Sequence, residues 1–338
     1  MQEVTWYGIW ATLAGTVSHS LMILIFYVWL DMGYKGVIFA TGFMFFFRFL
    51  VNFCLVTFRS DVRKHDDVYL FSRETTINIG PLLRKSLASL MLGVWGWWSF
   101  DIFTLMATYI GSTEAGAQTI MRSIGLLTFM MPAGFSGAAG IMIGKSIGQQ
   151  CTNLAMTYYR VSQLAAIGIS MFQIIVLASL RDQIIGMFTS DIETAACIRS
   201  AWPVLLIFTL FDATQAVSGS FIRGTGKQCN GAIFTSTGYF FFGIPLAFLF
   251  ALHLDMGIPG LWIGPVAACA YLTLAYNILI LCINWPSLHE EIEQRRIDEN
   301  NERDRLLKES LQNCPNSKAN GECAPVSINE NDDYQKAN

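Results

Sequence analysis

Charge is what this sequence lacks most. Only 14% of its 338 residues are Asp, Glu, Lys or Arg, against about 25% in a typical soluble domain. Much of that charge sits in Pro286–Asn338, so the body of the chain is poorer still and cannot be a water-soluble globule. The eight cysteines are scattered, with no C-x-x-C pair and no His/Cys spacing of metal-binding type. They define neither a zinc site nor a disulfide framework. There is no His-rich box and no nucleophile elbow, so an enzyme is not expected and no cofactor is implied. Met1-Gln2-Glu3 lacks the basic start of a signal peptide. The net charge of −3 is set by the tail, and nucleic acid is not expected as a partner.

What the chain has is long apolar runs, with 53% apolar residues and a mean hydropathy of +0.43. Eight stretches reach the ~20 residues needed to cross a bilayer: 8–30, 36–58, 86–110, 117–145, 158–180, 200–222, 230–253 and 258–284. None alternates with the period of two that a barrel strand requires, so each is expected to be a helix. The fold class is therefore all-α, a polytopic membrane protein of about eight transmembrane helices. Pro132, Pro203, Pro245 and Pro265 are candidate kinks.

Lys and Arg fall on alternate sides. One set of loops carries Arg59, Arg63, Lys64, Arg73, Arg84, Lys85, Lys145, Arg160, Arg223 and Lys227. The other carries only Lys35, Arg181 and Arg199. The positive-inside rule then places both termini in the cytoplasm. The segment Arg181–Ser200 is expected as a short mixed stretch at the outer interface, with Cys197 in an outer loop.

An internal repeat divides the chain. Leu30-Asp31-Met32-Gly33-Tyr34-Lys35-Gly36 recurs as Leu254-Asp255-Met256-Gly257-Ile258-Pro259-Gly260, each copy at an outer turn between two spans. Residues 8–58 thus correspond to the last hairpin of the six-helix unit 86–285, and 59–85 is a cytoplasmic linker. Parallel repeats of this kind are a transporter architecture. The 8–58 hairpin is expected to be the last two helices of an incomplete N-terminal lobe. Residues 286–338 form a charged tail, helical over His289–Leu311 and then largely disordered.

Intramembrane acids are rare and mark ion or substrate pathways. Asp101 and Asp212 both lie about mid-span in the six-helix unit, with Gln215 and Ser218 expected on the Asp212 face. Trp97, Trp98 and Phe100 could offer ring faces to a cation or simply pack. Arg122 lies at a depth from which it can reach Asp101, making it a candidate ion-pair modulator. Gly140-x-x-x-Gly144-Lys145-Ser146 is a poor phosphate loop, because an apolar helix runs through it. Gly140, Gly144 and Gly148, with Pro132 and Gly134 upstream, read instead as helix-packing positions.

Several ordered motifs resemble the multidrug and toxin extrusion (MATE) family, especially its eukaryotic branch. Trp97-Trp98-Ser99-Phe100-Asp101 is similar to its seventh-helix element, although Gly96 stands where that element has its first acid. Gly116-Ala117-Gln118 and Met131-Pro132-Ala133-Gly134-Phe135-Ser136-Gly137-Ala138-Ala139 resemble the eighth helix. Phe211-Asp212-Ala213, Gly219 and Arg223-Gly224-Thr225-Gly226-Lys227-Gln228 resemble the tenth. Gly238-Tyr239, Gly243-Ile244-Pro245, Gly260-Leu261-Trp262-Ile263-Gly264 and Asn284-Trp285 resemble the last two.

The resemblance spans Gly8 to Trp285 and implies an exporter of small organic cations and xenobiotics, coupled to protons or sodium. In this reading Asp101 and Asp212 exchange proton for cation. On this resemblance the chain is expected to lack the first four helices of such a transporter. The expected partners are organic cations, protons, the lipid bilayer, and an N-terminal lobe or a second copy of the chain. The alternative is a non-transporting membrane protein with an assembly or regulatory role.

Overall fold

The structure, a computed structural model, describes residues 5–58 and 79–312. The charges and cysteines at 59–78 and 313–338, with those parts of the expected linker and tail, lie outside the described residues. Among the described residues every regular element is a helix, and eight are long and apolar enough to cross a membrane. The protein is an all-α, multi-pass membrane protein. It divides into two units, Met1–Gly80 and Pro81–Asn338.

The first unit is a hairpin of α1 (Thr5–Ile23, extended by a π-helical segment Leu24–Trp29) and α2 (Tyr34–Phe58). Ala11 and Ala40 are buried, and a Cβ on Gly15 would stand 3.4 Å from the Arg48 Cβ. His19 Nε2 shares a hydrogen bond with Thr41 Oγ1 at 3.3 Å, which is the packing role that a histidine on an apolar helix usually takes. Arg48 has no carboxylate partner among the described residues.

The second unit contains α3 (Ile79–Ile110), α4 (Ser112–Gly148), α5 (Thr152–Ser179), a short α6 (Arg181–Phe188) and α7 (Ile192–Gly224). It continues with α8 (Gln228–His253), α9 (Gly257–Leu281) and α10 (Trp285–Gln312). Helix α3 begins at Ile79 rather than 86. Pro81 falls in its first turn, where a missing N–H costs nothing, so the end of the expected linker is helical.

The segment 181–200 also differs from expectation. It is helix α6 followed by the start of α7, and Cys197 is half-buried on a helix. Two local devices explain this. Asp191 caps α7, its carboxylate accepting from the Thr194 amide at 2.8 Å and the Thr194 hydroxyl at 2.6 Å. Asp182 on α6 accepts from Arg199 Nε at 2.8 Å, tying α6 to α7.

Helix α7 is the centre of this unit, packed by α4, α5 and α9. Small residues allow its approach to α4. A Cβ on Gly140 would stand 3.4 Å from the Ser220 carbonyl oxygen, and one on Gly144 would stand 3.7 Å from that of Gly224. The expected glycine face stops there, because Gly134 and Gly148 have no neighbour within 4 Å of a Cβ position. Gly134 is exposed, and Gly148 lies at the helix end. Pro132 is buried within α4.

The two units repeat one turn. Leu30 N–H donates to Ile25 O at 2.9 Å and Met32 N–H to Phe26 O at 3.1 Å; Leu254 to Leu249 and Met256 to Phe250 match them at 2.9 and 3.1 Å. Asp31 and Asp255 have φ of 48° and 49°, and Gly33 and Gly257 of 54° and 60°. A π-helical segment precedes each turn. After it, Gly36 and Gly260 let the second helix touch the first: a Cβ would stand 2.8 Å from the Phe26 carbonyl carbon and 2.6 Å from that of Phe250. The repeat read in the sequence is a repeat of backbone geometry.

Candidate functional site

The six-helix unit encloses a cavity of about 200 Å³ bordered by α3, α4, α7, α8 and α9. Three aromatic side chains close one end. Phe100, Phe208 and Trp262 meet edge to face, with centroids 5.3 to 6.2 Å apart. Trp262 is fixed from behind by donating its Nε1–H to Gln118 Oε1 at 2.8 Å. Toward the other end lie Thr235, Tyr276 and Arg223.

Asp212 lies on the α7 wall, where two apolar clusters meet; Phe208 belongs to one and Ala213 to the other. It is 9% exposed. Its Oδ1 accepts from Gln215 Nε2 at 3.1 Å and faces the Cys269 thiol at 3.9 Å. No Lys, Arg or His among the described residues pairs with it. An isolated buried carboxylate is costly unless a proton or a bound cation neutralises it.

Asp101 is elsewhere and differently held. Its side chain is 62% exposed and accepts from Arg122 Nη1 at 2.8 Å. Arg122 also reaches Thr104 Oγ1 at 3.5 Å and borders the cavity, whereas Asp101 does not. Trp97, Phe100 and Gln215 border it too. Trp98 points away, half-exposed and edge-on to Trp95 at 5.7 Å. Ser218 is not on the Asp212 face. It joins Tyr159, Gln163 and Asn277 in a polar cluster between α5, α7 and α9, with Gln163 Nε2 donating to Ser218 Oγ at 2.7 Å and Tyr159 Oη–H to Asn277 Oδ1 at 2.7 Å. At 3.6 residues per turn, six residues carry Ser218 well round the helix from Asp212.

Sequence reasoning missed Tyr239, Tyr276, Thr235 and Arg223 as cavity residues. Tyr239 enters because α8 is π-helical over Gly238–Gly243, a widening that often occurs at functional positions. Its ring lies 3.4 Å from where a Cβ on Gly96 would be, so the missing first acid of the α3 motif leaves room for a tyrosine. Gly238-Tyr239 is legible as a motif, but no periodicity in the sequence announces a π-helix.

The MatE family profile matches residues 91–249, which include most of the cavity wall. The chain belongs to the multidrug and toxin extrusion family. It is 30% identical over 225 residues to multidrug and toxin extrusion protein 2 of Mus musculus, covering 67% of this chain and 39% of that protein. It is 27% identical over 291 residues to multidrug and toxin extrusion protein 1 of Danio rerio, covering 86% and 49%. The chain spans half or less of the length of these relatives. The crystal structure of the eukaryotic MATE transporter AtDTX14 superposes with a TM-score of 0.79 at 21% identity, covering 85% of this chain and 64% of that one. At that identity the likeness concerns the fold.

Proposed function

We propose that this MATE-family chain takes part in secondary active export of organic cations in exchange for protons, with Asp212 as the exchanging acid. The observation that carries the reading is a buried carboxylate on a cavity wall with no cationic partner among the described residues. When a cation enters, the Asp212 proton leaves and the carboxylate holds the cation; when a proton returns, the neutral acid lets the cation go. The two occupants exclude each other, which is what exchange requires. Gln215 orients the carboxylate, and the rings of Trp97 and Phe100 supply faces for a cation. The Asp101–Arg122 pair modulates the site from its edge, and Asp101 is a second, weaker candidate for exchange. Sodium is the alternative coupling ion in this scheme, competing with the organic cation for the ionised Asp212 carboxylate.

In the cell the cytoplasmic placement of both termini follows from the Lys/Arg asymmetry. Alternating access needs a facing lobe, supplied by an N-terminal lobe or by a second copy of the chain. The protein is a transporter component and not an enzyme. The direct test is proton release. Titrating tetraethylammonium into the protein in lipid nanodiscs, in weakly buffered solution, should release close to one proton per cation bound. Asp212→Asn should bind weakly and release none. Cation binding without proton release in the unmodified protein would end the exchange reading.

A further inference from the structure

A second hollow lies apart from the cavity described above. It is a groove of about 770 Å³ between α3 and the end of α8 that leads into the Leu254–Gly260 turn, and its size is that of a small-molecule site. Helix α3 contributes Ile102, Leu105 and Tyr109; α8 and its turn contribute Phe248, Leu252 and Asp255. The spacings i, i+3, i+7 and i, i+4, i+7 put each set on one helix face. Neither helix fills the gap from its other flank. Phe103 and Ala107 of α3 are turned into the core and fully buried. Gly260 draws α8 onto α9 instead, since a Cβ there would stand 2.6 Å from the Phe250 carbonyl carbon and 2.8 Å from the Ala251 nitrogen. The stretch of α8 that borders the groove, Leu249–His253, is π-helical, a distortion frequent at functional positions.

Every residue bordering the groove is apolar or aromatic except Asp255. Asp255 stands in the turn at the groove's end, exposed, with no Lys or Arg paired to it among the described residues. Tyr109, 83% exposed, lies at the same end of α3, as aromatic residues do at a membrane interface. From Ile102 to Ile110 the α3 wall runs eight residues, about 12 Å at 1.5 Å per residue. That is most of one leaflet's share, ~15 Å, of the hydrocarbon core. We propose that the groove binds one phospholipid with a primary-ammonium headgroup, of the phosphatidylethanolamine kind. An acyl chain lies along the α3 and α8 faces, and the ammonium donates to the Asp255 carboxylate in a charge-assisted hydrogen bond. The apolar walls accept any acyl chain; the carboxylate chooses the headgroup. No basic residue borders the groove, so a net-anionic headgroup meets only repulsion there. The site does not depend on Asp212 or on what the cavity carries. The Lys/Arg asymmetry of the loops assigns it to the outer leaflet, and only that assignment rests on the proposed topology.

The test uses the full chain in nanodiscs made of equal parts phosphatidylethanolamine and phosphatidylglycerol with identical acyl chains. Native mass spectrometry then identifies the lipid held longest as the collision energy is raised. That lipid should be phosphatidylethanolamine, favoured about fivefold, the size expected of one exposed charge pair. Asp255→Asn should erase the preference and keep a lipid bound. Asp255 has a φ of 49°, a conformation that asparagine tolerates, so the turn survives the change. Asp31→Asn, in the matching turn of the first unit, should leave the preference as it was. Leu105→Trp, at a position 69% exposed, fills the groove without entering the core and should abolish the tightly held lipid. Equal retention of the two lipids by the unmodified protein overturns the proposal. So does a preference that survives Asp255→Asn, or one that Asp31→Asn removes as well. Retention undiminished by Leu105→Trp would place the lipid elsewhere and has the same consequence. A dimer that Leu105→Trp dissociates, with no lipid held, would give the groove to a second copy of the chain and overturn the proposal too.

Discussion

The two intramembrane acids of the six-helix unit have the same side chain and similar depth, yet opposite circumstances. Asp212 is buried, accepts one amide hydrogen bond at 3.1 Å, and has no cationic partner among the described residues. Asp101 is exposed and holds Arg122 at 2.8 Å. Depth in a span does not decide what a carboxylate can do; the side of the helix on which it emerges does. A charge that already has a permanent partner has little to gain from a transient one, and a buried charge without a partner has much to gain.

The largest expected effect tests that contrast directly. Asp212→Asn should lower the affinity for tetraethylammonium by more than about tenfold, while Asp101→Asn changes it by less than about threefold. The amide keeps the shape and the Gln215 contact, so Asp212→Asn should fold normally, with a melting temperature equal to the unmodified protein's or higher. The comparison breaks if the two variants lose affinity equally.

Next comes packing around each acid. Trp262, fully buried at the Asp212 cavity, meets Phe100 and Phe208 and satisfies Gln118. Trp262→Ala should destabilise by about 3–5 kcal/mol and orphan the Gln118 amide. Trp98, near Asp101 but 52% exposed, should cost less than about 1 kcal/mol as alanine. Unfolding in mild detergent measures both. Similar losses would mean that the Trp98 face is covered by something that packs as tightly as a core.

A smaller effect concerns the Asp101–Arg122 pair. A double-mutant cycle with Asp101→Asn and Arg122→Gln should give a coupling below about 1 kcal/mol, as exposed pairs do. A coupling above about 3 kcal/mol would place the pair in a dry environment. Asp101 would then belong with Asp212, and the division between the acids would be wrong.

These contrasts explain what could be read in advance. The spans were legible because length and hydropathy are local properties, and so were the Leu30–Gly36 and Leu254–Gly260 turns, whose residues set their own backbone angles. The Arg122–Asp101 contact followed from depth along two adjacent helices. Facing was harder. Ser218 lies a third of a turn away from the Asp212 wall, and Trp98 turns from the cavity while Trp97 faces it. Tyr239 is placed by a π-helical segment, and Arg223 by a guanidinium folding back over Gly219; both depend on neighbours from other helices. The 181–200 segment was misread because its helix start rests on a single capping aspartate.

The smallest effect extends the paired-acid half of the contrast to a carboxylate outside the spans. Asp182 accepts from Arg199 at 2.8 Å and Arg181 at 3.2 Å. Those two guanidinium groups, Arg199 first, hold its carboxyl below its usual 3.8. A depressed carboxyl pKa in the folded state adds stability that is fully present above the unfolded value and disappears as pH falls through the folded one. The α6–α7 tie should therefore be constant from pH 7 down to about pH 5 and weaken only below about pH 4. Asp182→Asn should remove that acid-side loss and shift the melting temperature at pH 7 by less than about 2 °C, because an exposed pair is screened by solvent. Melting curves from pH 7 to pH 3 for both proteins decide it. If Asp182→Asn costs as much at pH 3 as at pH 7, the ion pairs contribute nothing and α6 is held by its apolar contacts, Ile185 buried in the cluster that α7 shares and Ile184 packed against it. If the loss at pH 7 rivals that of Trp262→Ala, pairing at an exposed site is worth far more here than the Asp101 argument allows.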